Sequence, residues 1–134
     1  MRRKDRLSKR VTMPEKWPAD AYTTRVSAAK ALKHLASVPG TWATVSSGKK
    51  LRRTFVLPDF LAVMHFLLDI ADYAEFQGHH PDFSVSYNRV EFTIWTHSLG
   101  CLTVADLRLA AFITGLSETH GAAPEGETFG KLLP

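Results

Sequence analysis

The sequence contains one cysteine, Cys101, among its 134 residues, and it contains no long apolar run. A lone cysteine excludes an internal disulfide and a cysteine-based zinc site, and it favours a reducing compartment. The most apolar stretch, 60–71, is interrupted by His65 and Asp69. It therefore falls short of the roughly 20 apolar residues that a membrane span needs, and the N-terminus lacks the apolar core of a secretory signal. These absences predict a cytoplasmic protein that does not contact a membrane.

A net positive charge is also absent outside the first ten residues. That segment carries six basic residues and one acidic residue, whereas the whole chain has a net charge of +4, so the remainder is close to −1. A nearly neutral body predicts no direct contact with nucleic acid. We predict a flexible basic tail over 1–19, one domain over 20–117 and a disordered tail over 118–134. The Arg-rich start also fits an organelle-targeting segment, and the sequence leaves that alternative open.

Hydrophobic periodicity and turn residues divide the chain into five elements. In chain order they are a short helix capped by Ser27, a hairpin over 42–57, a long helix that begins after Asp59 and ends at Gly78, a hairpin over 83–94, and a helix capped by Thr103. Two hairpins separated by a long helix predict an α+β fold. We expect a four-stranded antiparallel sheet with helices packed on one face, and a second face that is open or covered by a partner subunit.

The second hairpin has the clearest strand pattern. Phe83, Val85 and Tyr87 alternate with polar residues, which predicts a half-buried strand. Asn88 and Arg89 are predicted to form the turn into the next strand.

Three histidines, His79, His80 and His97, form the candidate site. Pro81 disfavours the α conformation for His80, so His80 is expected in extended chain just past the long helix. His97 lies at the far end of the second hairpin, and an antiparallel return brings it back toward His79 and His80. Imidazole suits proton transfer near neutral pH, and histidines in different environments can serve as acid and base. The pattern therefore predicts an acid–base site at the rim of the sheet.

Other interpretations of these residues compete with a catalytic one. Imidazole is a common zinc ligand, but no cysteine has suitable spacing and no His-x-x-x-His pair lies on a helix, so we predict no metal. Asp106 follows Thr103 at capping-box spacing, and Glu75 could be a solvated residue in the last helical turn. The remaining histidines, among them His34, His65 and His120, fit cap or surface positions.

The combined pattern resembles the pterin-4a-carbinolamine dehydratase family. The matching segments are EFQGHHP at 75–81, YNRV at 87–90, TH at 96–97 and LTVAD at 102–106, and the match runs from about Trp42 to Leu116. Gly78 departs from the family, which more often has a polar residue there. The resemblance implies an α+β fold, assembly into homodimers or homotetramers, and a hydro-lyase that needs neither metal nor cofactor, since the pterin is the substrate. The reaction implied is dehydration of 4a-hydroxytetrahydropterin to quinonoid dihydropterin, which recycles the cofactor of aromatic amino acid hydroxylases.

The resemblance also implies roles for individual residues. His79, His80 and His97 match proton carriers of the pterin pocket, with His80 and His97 as the main acid–base pair and His79 helping to bind the hydroxyl. Supporting positions around the pocket are matched by Glu75, Asp106, Trp42 and Pro81. Trp42 and Trp95 would ordinarily be core or sheet aromatics, but a flat pterin ring also stacks on such faces.

A function without catalysis is the alternative. Relatives with this fold act as dimerisation partners of a transcription activator or as RuBisCO assembly factors, and a fold alone does not separate these from an enzyme. A scaffold has no physical need for three converging histidines, so the sequence favours the enzyme.

Overall fold

The structure is a computed structural model that describes residues 15–36 and 40–123. A 3₁₀ helix spans Ala19–Tyr22, and three α-helices follow: α1 at Ala28–Leu35, α2 at Phe60–Gln77 and α3 at Val104–Thr119. The strands are β1 at Ala43–Val45, β2 at Lys50–Val56, β3 at Asp82–Ser86 and β4 at Arg89–Ile94. Within the described ranges, no helix combines the length and apolarity that a membrane crossing requires.

The four strands form one antiparallel sheet in the order β1-β2-β4-β3. Leu51 of β2 pairs with Ile94 of β4 and Phe55 pairs with Val90, so these buried side chains share one face. The helices cover that face, where Phe66 of α2 packs edge-on against Phe55. The α+β fold with a four-stranded antiparallel sheet is therefore confirmed.

Local signals define the helix ends as the sequence predicts. The Ser27 side chain accepts a hydrogen bond from Lys30 N, and the Asp59 side chain accepts one from Ala62 N at 2.8 Å. Gly78 adopts a left-handed φ of 70°, which lets α2 end in one residue and turn toward β3. The position of His79 and His80 relative to the sheet follows from that turn.

The second hairpin differs from the prediction. Phe83 and Tyr87 are each 54% exposed rather than half-buried, because β3 is an edge strand with a neighbour on only one side. Tyr87 also lies in the turn, with a φ of 53°, and Arg89 already pairs with Ser86 in the ladder. The turn is therefore Tyr87-Asn88, one residue earlier than predicted.

Packing extends past both predicted ends of the domain. Trp17 is 6% exposed, and its backbone N–H donates to Gln77 Oε1, so the packed region begins before residue 20. Ala123 N donates to Val56 O at 2.9 Å, beyond the predicted limit of 117. Most of the two predicted tails, residues 1–14 and 124–134, lies outside the described residues.

Candidate active site

The end of α2 places two histidines next to each other with opposite burial. Gly78 N and His79 N both donate to Ala74 O, at 2.8 and 3.2 Å, which closes the helix. His79 is 8% exposed, whereas His80 is exposed. Successive residues of extended chain point to opposite sides, and this alternation sends one ring inward and the other outward.

His79 is held by a buried carboxylate. His79 Nε2 lies 2.7 Å from Asp106 Oδ1, and the Asp106 side chain is fully buried. A carboxylate oxygen accepts, so the imidazole nitrogen donates. This assigns the ring proton to Nε2 and leaves Nδ1 as the free nitrogen of neutral His79. Among the described residues no group hydrogen-bonds to Nδ1.

Asp106 also caps α3 while it holds His79. Its second oxygen, Oδ2, accepts from Thr103 N at 2.8 Å and from Thr96 Oγ1 at 2.8 Å. The capping-box interpretation of Asp106 is therefore confirmed, and the same carboxylate also contacts His79. One carboxylate joins the start of α3, the end of β4 and the end of α2.

The other two histidines have different surroundings. His80 Nε2 lies 2.8 Å from Glu75 Oε1, and both side chains are 57% exposed. The exposed His97 ring packs on Trp95, with ring centroids 4.0 Å apart, and Lys50 Nζ lies 3.8 Å from the Trp95 ring centroid. Within the described chain the His97 side chain makes no hydrogen bond, so both of its ring nitrogens are available.

One cavity brings the three histidines together. Its volume is about 260 Å³, close to the lower end of the range for small-molecule sites. Eight residues line it: Tyr22, Gly78, His79, His80, Trp95, Thr96, His97 and Ser98. Three imidazoles with three different partners thus face one space.

The supporting residues predicted from the sequence do not all reach this cavity. Pro81 lies beside it, lining a second cavity of about 150 Å³ together with Glu75 and His80. Trp42 does not line either cavity. Its ring is 4% exposed and packs edge-on against Phe55, and its Nε1 donates to Thr114 Oγ1 at 2.8 Å.

Sequence reasoning missed the contribution of the N-terminal segment. The rings of Trp17 and Tyr22 contact His79 edge-on, with centroid distances of 6.2 and 6.1 Å. The Tyr22 hydroxyl donates to Gln77 O, and burial raises the pKa of this phenol above its ordinary value. Tyr22 ends a four-residue 3₁₀ helix and Trp17 precedes it, so neither lies in a segment long enough for an amphipathic period to reveal these contacts.

A further buried histidine pair lies elsewhere in the fold. His120, at the C-terminal cap of α3, is 2.9 Å from Asp69 Oδ2, with side chains 8% and 0% exposed. It does not line the histidine cavity. His34 and His65 are exposed, as the surface interpretation predicts.

A larger cavity, about 710 Å³, is a groove between the N-terminal segment, α1 and α3. Basic side chains from Lys16, Lys30 and Arg108 line it beside an apolar floor. Glu15, His34 and Tyr73 also line it, but His34 is the one histidine among its lining residues, whereas three histidines meet at the smaller cavity. Size alone therefore does not make the groove the site. Among the described residues no three metal-ligating side chains form a cluster in this groove or anywhere else.

Known proteins are similar to this chain in both sequence and fold. The family model described as "Pterin 4 alpha carbinolamine dehydratase" matches residues 3–116. A protein of Thermosynechococcus vestitus named "Putative pterin-4-alpha-carbinolamine dehydratase" is 42% identical over 93 residues, covering 69% of this chain and 95% of its own. A protein of the same name from Chloroflexus aggregans is 42% identical over 89 residues, or 66% of this chain and 93% of its own.

A solved structure agrees with these relatives. The crystal structure of a "transcriptional coactivator/pterin dehydratase" from Brucella melitensis is similar, with a TM-score of 0.64 and 30% identity. It covers 69% of this chain and 98% of its own. By sequence and by fold, the chain belongs to the pterin-4a-carbinolamine dehydratase family.

Proposed function

We propose that the protein dehydrates 4a-hydroxytetrahydropterin to quinonoid dihydropterin by histidine acid–base catalysis. The observation that carries this proposal is the cavity at which His79, His80 and His97 meet, each ring with a different partner. Family membership supports the same activity.

The reaction requires two proton transfers and no redox step. The C4a–O bond breaks, the hydroxyl takes up a proton and leaves as water, and N5 loses its proton as the C4a=N5 double bond forms. An acid must therefore face the hydroxyl and a base must face N5. One proton is supplied and one is removed, so the protein ends each cycle with its proton count unchanged.

His80 and His97 are proposed as the acid–base pair. Glu75 is 2.8 Å from His80 Nε2, and a carboxylate there stabilises the imidazolium that forms when His80 takes a proton. The His97 ring has no competing hydrogen bond within the described chain and can give its proton to the leaving hydroxyl. Positioned proton transfer of this kind accelerates reactions by about 10²–10⁴-fold.

His79 is proposed to orient the hydroxyl. Asp106 occupies Nε2, so the unprotonated Nδ1 can accept a hydrogen bond from the 4a-hydroxyl while the oxygen receives its second proton. Trp95 and Tyr22 line the same cavity and offer aromatic surface to the flat pterin ring.

The direct test is dehydration of freshly generated 4a-hydroxytetrahydropterin, followed by ultraviolet absorbance. His80→Ala and His97→Ala should each lose at least about tenfold of the wild-type acceleration, with little change in thermal stability, because both side chains are exposed. His65→Ala is the matched control, an exposed histidine on α2 outside the cavity. Full activity in both site variants would reject this acid–base pair.

We also propose that the enzyme works as a cytoplasmic homodimer or homotetramer. Large apolar side chains are exposed on α2 and at the edge strand and its turn: Phe60, Leu61, Leu68, Phe83 and Tyr87. Burying such apolar surface between subunits would favour self-association. Light scattering after gel filtration should give a multiple of the 14.9 kDa chain mass; a monomer at micromolar concentration would reject self-association.

A scaffolding role is the second candidate. The name of the Brucella melitensis protein joins coactivator to dehydratase, and the groove of about 710 Å³ gives this chain a surface that none of His79, His80 and His97 lines. The same dehydration assay separates the candidates, because a scaffold without catalysis would leave the buffer rate unchanged.

A further inference from the structure

Thr96 joins two parts of the histidine site. We propose that Thr96 is a positioning residue for His79 and that it acts through Asp106. By orienting the Asp106 carboxylate, Thr96 keeps the proton of neutral His79 on Nε2 and leaves Nδ1 unprotonated for the cavity. The catalytic part of this inference rests on the proposed dehydration. The tautomer of His79 does not depend on it.

The hydrogen-bond directions follow from the donors available. Thr103 N and Thr96 Oγ1 both lie 2.8 Å from Asp106 Oδ2. Thr96 Oγ1 is also 2.8 Å from Thr103 Oγ1. The one hydroxyl hydrogen of Thr96 goes to the carboxylate, so the Thr103 hydroxyl donates to Thr96. The Thr103 hydroxyl lies farther from Oδ2, at 3.5 Å. Thr96 is thus the closer side-chain donor at Oδ2 and is itself oriented by Thr103.

These hydrogen bonds hold the Asp106 carboxylate in the orientation in which its other oxygen can accept from His79. With Oδ2 occupied by donors, Oδ1 is left facing His79 Nε2 at 2.7 Å. Asp106, Thr96 and Thr103 are all buried, so water does not compete for these groups. Loss of the Thr96 hydroxyl would leave Thr103 N as the one short donor at Oδ2. The carboxylate would then be oriented less strictly, and its hydrogen bond with His79 Nε2 would weaken.

Thr96 also fixes the turn that carries His97. Its carbonyl accepts from Leu99 N at 3.1 Å and from Gly100 N at 2.9 Å, and its own N–H donates to Cys101 O at 3.0 Å. The Thr96 side chain therefore helps to orient His79, and the Thr96 backbone stabilises the turn that carries His97. This division predicts that a substitution of the side chain disturbs His79 and leaves the His97 turn in place.

The experiment compares Thr96→Val, which keeps the branched shape but lacks the hydroxyl, with Thr96→Ser, which keeps the hydroxyl. Imidazole ¹⁵N shifts report the tautomer of each histidine directly. We expect neutral His79 to carry its proton on Nε2 in the wild type and in Thr96→Ser, and to become a mixture of tautomers in Thr96→Val. In the dehydration assay kcat of Thr96→Val should fall about tenfold or more with KM nearly unchanged, and Thr96→Ser should recover most of it.

Thr114→Val is the matched control, since Thr114 is a buried threonine that does not line the cavity and whose hydroxyl is hydrogen-bonded to Trp42 and Ala110. It should lower stability without altering the His79 shifts or kcat. If Thr96→Val does not fold, Thr96→Ala replaces it.

Three results would overturn the proposal: wild-type His79 protonated on Nδ1, an unchanged tautomer in the hydroxyl-free variant, or a loss of kcat that Thr96→Ser does not recover. A wild type with the expected tautomer but no dehydration would reject the proposed function and leave the positioning of His79 supported.

Discussion

Replacing Asp106 by asparagine should convert His79 to its other tautomer. Thr103 N–H is a backbone donor and cannot change direction, so the asparagine oxygen must stay at the Oδ2 position 2.8 Å away. The amide NH₂ then faces His79 Nε2, at the position where Oδ1 now accepts. An NH₂ group donates, so Nε2 must lose its proton and Nδ1 must carry it.

The expected loss of stability in Asp106→Asn follows from the hydrogen bonds that Asp106 makes. Hydrogen bonds to charged groups contribute about 1.5–3 kcal/mol and neutral ones about 0.5–1.5 kcal/mol. Neutralising the acceptor of three short bonds should therefore lower the free energy of unfolding by about 2–3 kcal/mol. For a chain of this size that corresponds to a fall in Tm of about 10 °C. Because Nδ1 could no longer accept from the hydroxyl, kcat should fall about a hundredfold.

The matched control is Asp69→Asn. Asp69 and His120 form a buried pair of the same type, 2.9 Å apart, outside the cavity. The Tm of both variants, measured by circular dichroism, should be lower than that of the wild type. Only Asp106→Asn should also show a lower rate of pterin dehydration at 25 °C. If Asp106→Asn keeps the wild-type kcat while its Tm falls like that of Asp69→Asn, Asp106 serves only as a helix cap and the tautomer argument is wrong.

Three further outcomes are expected. Glu75→Gln should reduce kcat less than His80→Ala and leave Tm nearly unchanged, because the Glu75–His80 pair is more than half exposed; equal losses in both variants would show that the pair acts as one unit. Trp42→Phe should lower the free energy of unfolding by about 1–2 kcal/mol through loss of the bond to Thr114, with a small effect on KM in pterin titrations. A large rise in KM would support the role that the family resemblance implies for Trp42. Exhaustive chelation should leave the dehydration rate unchanged, whereas loss of activity restored by zinc would reject the metal-free proposal.

Elements with local signals were predictable from the sequence. Ser27, Asp59 and Gly78 lie at the helix ends where the sequence places them, because capping and left-handed turns depend on neighbouring residues only. The meeting of His79 and His97 was predictable for a related reason, since an antiparallel return fixes which strand ends are neighbours.

The features that could not be predicted from the sequence depend on contacts between segments distant along the chain. Phe83 has the alternation of a half-buried strand, yet its exposure is set by the sheet order, which local pattern does not encode. Trp17 and Tyr22 reach His79 from a segment without periodicity. The contact of Asp106 with His79 and the pairing of Asp69 with His120 follow from tertiary packing, and spacing along the chain gives no sign of either.

The proposed activity requires that this protein accelerate loss of water from 4a-hydroxytetrahydropterin. The most direct measurement is the initial rate of that dehydration at several concentrations of the wild-type protein, beside buffer alone, with folding verified by circular dichroism. We expect a rate that rises in proportion to protein concentration. A folded wild type that leaves the buffer rate unchanged would contradict it.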